Sequence, residues 1–242
     1  MNMEKVGKYQ FDIESYQLDF QGKVPIPMIG NYLLHAASVH AGNRGFGYSE
    51  MTEKRTAWVL SRLAIEVMEY PVLSGEIVVY TWVDEVNRLF TSRCFELQRG
   101  GKTFGYARSI WAAIDLETRR PTVLDLAGIN AYISDRPCPI DKPGKILPVE
   151  NKTEAVPYRV KYSDLDINGH LNSIKYMEHL LDMFDIEMFR SKEVSRFEIA
   201  YQSEGKYDLP LSLHMAETVS GKYDMAICHE GKSICRAAVT WK

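Results

Sequence analysis

Residues 101–111 read Gly-Lys-Thr-Phe-Gly-Tyr-Ala-Arg-Ser-Ile-Trp, and residues 231–241 read Gly-Lys-Ser-Ile-Cys-Arg-Ala-Ala-Val-Thr-Trp. Both stretches open on Gly-Lys, carry alanine in seventh place and end on tryptophan, at a constant offset of 130 (231 − 101 and 241 − 111). Each reads as a tight turn feeding a β-strand. Upstream, Leu60-Ser61-Arg62-Leu63 with Ile65 matches Val194-Ser195-Arg196-Phe197 with Ile199 at an offset of 134 (195 − 61), and Tyr16 matches Tyr158 at 142 (158 − 16). A Gly-Lys turn alone is common. Three matches in the same order argue for duplication of one unit of about 100 residues, with the extra residues in first-half loops.

The join is also visible. Arg136-Pro137-Cys138-Pro139-Ile140-Asp141-Lys142-Pro143-Gly144 is too rich in proline to continue a helix or a central strand. The expected organisation is an N-terminal domain over 1–140, a linker over 141–155 and a C-terminal domain over 156–242. Each half has one apolar helical stripe: Ile29, Tyr32, Leu33, Ala36 and Ala37 in the first, Ile174, Met177, Leu180, Leu181 and Phe184 in the second, with Asn172 as N-cap. Strands rich in β-branched and aromatic residues follow, over 76–83, 94–98 and 103–114, then 196–201, 209–217, 223–229 and 233–241. A helix followed by hairpin-linked strands predicts an α+β fold, an antiparallel sheet wrapped against the helix in each half.

Hydrophobic residues make up 45% of the 242 and charged residues 25%, the balance of a globular protein able to bury a core. A net charge of −3 is not that of a nucleic-acid binder. The first ten residues lack the apolar stretch of a signal peptide and no run is long enough to span a membrane, so a cytoplasmic protein without membrane attachment is expected. Cys94, Cys138, Cys228 and Cys235 lack metal-ligand spacing and read as small buried hydrophobes.

Chemistry concentrates in Tyr162–Tyr176, where Asp166, Asn168, His170 and Asn172 alternate just before the second helix. In an extended segment that alternation puts the four side chains on one side, and backbone N–H groups at the helix start can hold a developing oxyanion. The same residues also suit an Asx-rich turn that caps the helix, the reading that fits Asn172 best; His170 together with Asn168 points beyond a turn. An offset of 142 aligns Val24, Ile26 and Met28 with Asp166, Asn168 and His170, which implies that the fold does not require the polar turn and that the first half presents an apolar surface instead. The remaining histidines, His35, His40, His179, His214 and His229, read as packing or surface residues.

Asp166-Ile-Asn168-Gly-His170-Leu-Asn172-Ser-Ile-Lys175-Tyr176 resembles the signature of the acyl-acyl carrier protein thioesterases of plants and bacteria. Tyr201-Gln202-Ser203-Glu204 resembles that family's second catalytic segment, and Trp58-Val59-Leu60-Ser61-Arg62 a motif of its first half. The resemblance implies a tandem (double) hot-dog fold and hydrolysis of a fatty acyl thioester on the phosphopantetheine arm of acyl carrier protein. It implies catalysis in the C-terminal half by Asp166, Asn168, His170 and Glu204, and an acyl pocket shaped by the N-terminal half, where Val24, Ile26 and Met28 lie. In this reading Glu204 activates a water or attacks directly, His170 manages the proton, Asp166 orients, and Asn168 holds water or the thioester oxygen. No cofactor or metal is called for, and the chain is expected as a monomer or homodimer.

The family often carries a cysteine after the catalytic glutamate; here Gly205 stands there, so no thiol nucleophile is available at that place. Three rivals remain at this stage. An acyl-CoA thioesterase would want a basic patch such as Arg88, Arg93, Arg99 and Lys102; a hot-dog hydroxyacyl-thioester dehydratase and a non-catalytic acyl-binding protein are the others.

Overall fold

A computed structural model describes residues 4–73, 75–123, 126–149 and 155–242. The chain divides into two compact units, Met1–Pro143 and Gly144–Lys242.

The first unit contains β1 (Gly7–Asp12), α1 (Ile26–Gly42), α2 (Tyr48–Glu53), β2 (Thr56–Val67), β3 (Glu76–Val86), β4 (Phe90–Arg99), β5 (Lys102–Asp115) and the short α3 (Leu126–Asn130). Its strands are antiparallel in the order β1-β3-β4-β5-β2. Helix α1 starts where Pro25, in extended backbone, and Pro27 in the first turn lose no hydrogen bond for lacking an N–H. Its Ile29, Leu33 and Ala36 are completely buried, as are Ile77, Val79, Phe95 and Leu97 of the sheet. Each large apolar side chain so buried contributes about 1.5–3 kcal/mol, which is what makes the long helix stable here.

The second unit repeats the design with β6 (Val156–Arg159), α4 (Ser173–Leu181), α5 (Ile186–Ser191), β7 (Val194–Tyr201), β8 (Pro210–Val219), β9 (Lys222–His229) and β10 (Lys232–Trp241), in the sheet order β6-β8-β9-β10-β7. The two units match down to their irregularities. At the β4–β5 turn Gly100 and Gly101 have φ of 55° and 79°, and at the β9–β10 turn Glu230 and Gly231 have 47° and 74°; two successive positive φ values are the mark of a type I′ hairpin. In the first unit Leu60 pairs with Trp111 and Arg62 with Ile110, so Ser61 bulges; in the second Val194 pairs with Trp241 and Arg196 with Thr240, so Ser195 bulges. Each unit is a hot-dog fold, a helix laid on a curved antiparallel sheet.

Several expected bounds change. The apolar stripe expected to run to Phe184 leaves the helix at Leu181, and Phe184 instead packs edge-on against Trp241 and Tyr223, ring centroids 5.0 Å away in each case. Strands β1 and β2 were not expected as such. Arg93, considered above for a basic surface patch, is only 5% exposed and donates to Thr81 Oγ1 at 3.2 Å.

Residues 134–143, without regular structure, cross the first unit's sheet on the face carrying Tyr80, Trp82, Cys94, Glu96 and Arg108. Ser134 N–H donates to Val83 O at 2.9 Å. Arg136 lies over the rings of Tyr80 and Trp82, 5.0 and 4.9 Å from their centroids, and pairs with Glu96. Arg108 pairs with Asp84 and donates to Ile140 O at 3.2 Å, while Lys142 pairs with Glu85.

Candidate active site

The site begins with a turn. Leu165 and Leu171 are bridged antiparallel, and between them the chain reverses: Asp166 N–H donates to His170 O at 2.8 Å and Gly169 N–H to Asp166 O at 3.0 Å. Gly169 takes φ of 74°, a region closed to most side chains. Asp166 Oδ1 accepts from Asn168 N–H at 2.8 Å and from His170 N–H at 3.0 Å, an Asx turn that defines the loop. Asp166, Asn168 and His170 are therefore gathered by a reversal of the chain and not by the alternation of an extended strand, which is a correction to the sequence reading. Asn172 is the N-cap expected: its Oδ1 accepts from Ile174 N–H at 2.8 Å.

Glu204 reaches the same place from the far side. His170 and Lys206 form a bridge, and Leu171 N–H donates to Gly205 O at 2.9 Å, so the turn after β7 lies against the loop. His170 Nε2 is then 3.3 Å from Glu204 Oε2, with the histidine side chain 20% exposed and the glutamate 38%. Asn168 is exposed at the rim. The arrangement brings a carboxylate and an imidazole together at a surface that water and a ligand can reach.

Residues that the sequence reading did not single out hold this arrangement. Tyr176 Oη accepts from Gly205 N–H at 2.9 Å and donates to Ser203 O at 3.3 Å, fixing both residues that flank Glu204. Burial raises the Tyr176 phenol above its ordinary value, against the opposing pull of Gly205 N–H, so it stays a donor. Tyr201 Oη donates to Ser173 O at 2.9 Å, tying β7 to the helix start. Beneath the loop, Asp164 is 3% exposed and accepts from Tyr158 Oη at 2.6 Å and Lys161 N–H at 2.7 Å, with His179 Nε2 3.2 Å away. Burial pushes the Asp164 carboxyl up, but these donors and His179 outweigh it and hold it below the usual carboxylate value. Periodicity carries no signal for such roles, because each depends on a partner distant in sequence.

The first unit contains the same turn, though not where the offset of 142 put it. Asp19 N–H donates to Lys23 O at 2.8 Å, Gly22 N–H to Asp19 O at 3.0 Å, and Asp19 Oδ1 accepts from the N–H of Gln21 and of Lys23, each at 2.9 Å. Gly22 has φ of 72°. These bonds set the equivalence at 147 (166 − 19): Asp19 answers to Asp166, Gln21 to Asn168 and Lys23 to His170. Lys23 bridges Val72, as His170 bridges Lys206, which puts Tyr70 opposite Glu204 at an offset of 134. The inference that the fold does not require the turn is thus overturned. What distinguishes the second unit is Asn168, His170 and Glu204. Of the apolar trio, Val24 and Ile26 are buried at 0% and 3% exposure, and Met28 is half-buried in the first turn of α1.

Among the described residues no group of three or more His, Cys, Asp or Glu has metal-binding geometry, and no helix is long and apolar enough to cross a membrane.

Two duplicated hot-dog units, one bearing a carboxylate–imidazole pair beside an Asx loop, define a tandem hot-dog protein. Residues 4–126 match the acyl-ACP thioesterase N-terminal domain and residues 148–242 the C-terminal domain; the chain belongs to the acyl-ACP thioesterase family. It is 43% identical to a crystal structure of an acyl-ACP thioesterase from Bacteroides thetaiotaomicron, with a TM-score of 0.94 and 98% of each chain covered. A 12:0-ACP thioesterase from Umbellularia californica, at 21% identity, has the same fold, with a TM-score of 0.89 over 99% of this chain and 98% of that one. Among curated relatives, an acyl-[acyl-carrier-protein] hydrolase of Cuphea viscosissima is 27% identical over 91% of this chain and 57% of its own length. The chain spans about half to three-fifths of the first curated relatives it matches.

Proposed function

We propose that this protein hydrolyses a fatty acyl thioester carried on the phosphopantetheine arm of acyl carrier protein, releasing the free acid and the carrier thiol, with Asp166, Asn168, His170 and Glu204 as its working residues. The observation that carries this reading is the 3.3 Å approach of His170 Nε2 to Glu204 Oε2. Glu204 accepts the proton of an attacking water and passes it across its contact with His170, which delivers it to the departing thiolate and leaves Glu204 ionised again. Asp166 acts through the loop, since its Oδ1 is already engaged by two backbone N–H groups.

The N–H groups of residues 168–172 and of Ile174 are committed within the loop and cap. Developing charge on the thioester oxygen is then met by the side-chain amide of Asn168, at the exposed rim, and by the first-turn N–H groups of Ser173 and Lys175. The N-terminal unit supplies apolar surface for the acyl chain, with half-buried Met28 at that surface and Val24 and Ile26 in the core that supports it, and a cytoplasmic setting fits four free thiols.

The test is thiol release from matched acyl-carrier protein and acyl-CoA substrates by the wild type and Glu204→Gln. Fast release from the carrier substrate, lost in the variant, is expected. Preference for acyl-CoA would change the substrate class, and no release from either would sink the hydrolase reading.

A further inference from the structure

We infer that Cys94 and Cys138 form an oxidisable dithiol, which a peroxide converts to a disulfide that fastens the 136–143 segment to the sheet of the N-terminal unit.

The two cysteines lie 44 residues apart in sequence (138 − 94) yet meet in the fold. Cys94 sits on β4 between Trp82 of β3 and Arg108 of β5, its direct partners in the ladder, and is completely buried. Cys138 rides on the crossing segment, half-buried, with Sγ 3.9 Å from Ala107 O, next to Arg108. The two thiols are close enough that each is the first influence on the other's ionisation.

Their surroundings assign different parts to the two sulfurs. Arg108, held by Asp84 and by Ile140 O, lies beside both. Cys94 draws the Cys138 thiol below its ordinary value, with further help from Ile140 and Arg108 against the effect of burial. Cys138 and burial push the Cys94 thiol far up. Nucleophilicity follows thiolate character and access, so Cys138 reacts first. Its thiolate attacks one peroxide oxygen, the O–O bond breaks, hydroxide leaves and a sulfenic acid forms. The Cys94 sulfur then attacks the Cys138 sulfur, the S–O bond breaks, and water departs with the Cys94 proton. Two thiols and one hydrogen peroxide give one disulfide and two waters.

The bridge would matter mechanically. The crossing segment is held by ion pairs, cation–π contacts and single hydrogen bonds, without regular secondary structure. A covalent tie across a long loop removes freedom from the unfolded chain and raises the melting temperature. The other two cysteines supply an internal control. Cys235 pairs with Ile227 and Cys228 with Ser233, so the register sets them opposite other residues.

The experiment is oxidation of the native protein with a small excess of hydrogen peroxide, alkylation in denaturant, and peptide mass spectrometry under non-reducing conditions. The expected product links the tryptic peptide Cys94–Arg99 to the one bearing Cys138, two hydrogens lighter than the sum, with Cys228 and Cys235 alkylated. The melting temperature rises by several degrees and returns on reduction, and Cys138→Ser abolishes both changes. Stable sulfenic or sulfinic acid at Cys138 with Cys94 still alkylated would overturn the inference, as would a Cys228–Cys235 link forming in its place.

Discussion

Asp19 and Asp166 occupy the same position in two copies of one turn, each accepting two backbone N–H groups on a single carboxylate oxygen at 2.8–3.0 Å. One copy has Gln21 and Lys23 in its remaining positions; the other carries Asn168 and His170. The pair therefore separates the structural part of Asp166 from the part proposed for it in the reaction. Asp19→Ala and Asp166→Ala should each lose about 0.5–1.5 kcal/mol of stability, the net worth of hydrogen bonds whose donors water can partly reach. Only Asp166→Ala should lower turnover, by at least tenfold. Denaturant melts and steady-state rates on the two variants check this; equal activity loss in both would show that Asp166 acts through stability alone.

The turn holding Glu204 has little room to spare. A Cβ on Gly205 would come within 3.0 Å of Leu171 Cβ and 3.2 Å of Tyr176 Oη. Gly205→Cys should therefore cost about 1–3 kcal/mol by crowding and lower kcat, because the hydroxyl it displaces holds Gly205 and Ser203. Tyr176→Phe, which removes that hydroxyl and keeps the ring, should lower kcat about tenfold, with KM nearly unchanged. A Gly205→Cys enzyme as fast as wild type, by the thiol-release assay, would show that the turn is not sensitive to its position.

The repeat was readable from residues 101–111 and 231–241 because hairpin chemistry is local: a Gly-Lys turn and the strand behind it need no distant partner. The same holds for the Asn172 cap. The equivalence around Asp19 escaped because its three polar positions share only one residue type with Asp166, Asn168 and His170, while apolar Val24, Ile26 and Met28 offered a superficially cleaner contrast. Backbone hydrogen bonds, which sequence identity does not record, set the true register. Tyr176 and Asp164 stood inside the motif, but their partners Gly205 and His179 come from other parts of the chain. Strand β1 is too short and too polar, Gly-Lys-Tyr-Gln-Phe-Asp, to stand out by pattern.

The three apolar residues proposed for the acyl pocket should behave differently from one another. Val24 has no exposed surface and belongs to the core, whereas Met28 is half-buried. Val24→Ala should cost about 1–3 kcal/mol of stability without changing the preferred chain length. Met28→Trp should shift release toward shorter acyl chains. Product distributions from a mixed acyl-carrier pool measure the shift; an unchanged distribution would remove Met28 from the pocket.

Acid should weaken the N-terminal unit through His40. Its side chain is completely buried on α1, donates from Nε2 to Lys5 O at 3.3 Å, and leaves Nδ1 without a partner. Burial first, then the nearby charges of Arg93 and Arg44, push its pKa down to about 3, against the pull of the Lys5 carbonyl. Between that value and the ordinary histidine value of about 6.5, the unfolded chain binds a proton that the folded chain refuses. Unfolding is then favoured as pH falls, so this part of the stability is present above pH ~6.5 and is lost progressively on acidification toward pH ~3. Moving from pH ~6.5 to ~4.5 should remove about 2 kcal/mol through this residue. In His40→Leu, which cannot take up a proton in either state, the difference between urea midpoints at the two pH values should shrink by a corresponding amount. If the variant and the wild type lose stability in parallel, His40 is not the group that titrates.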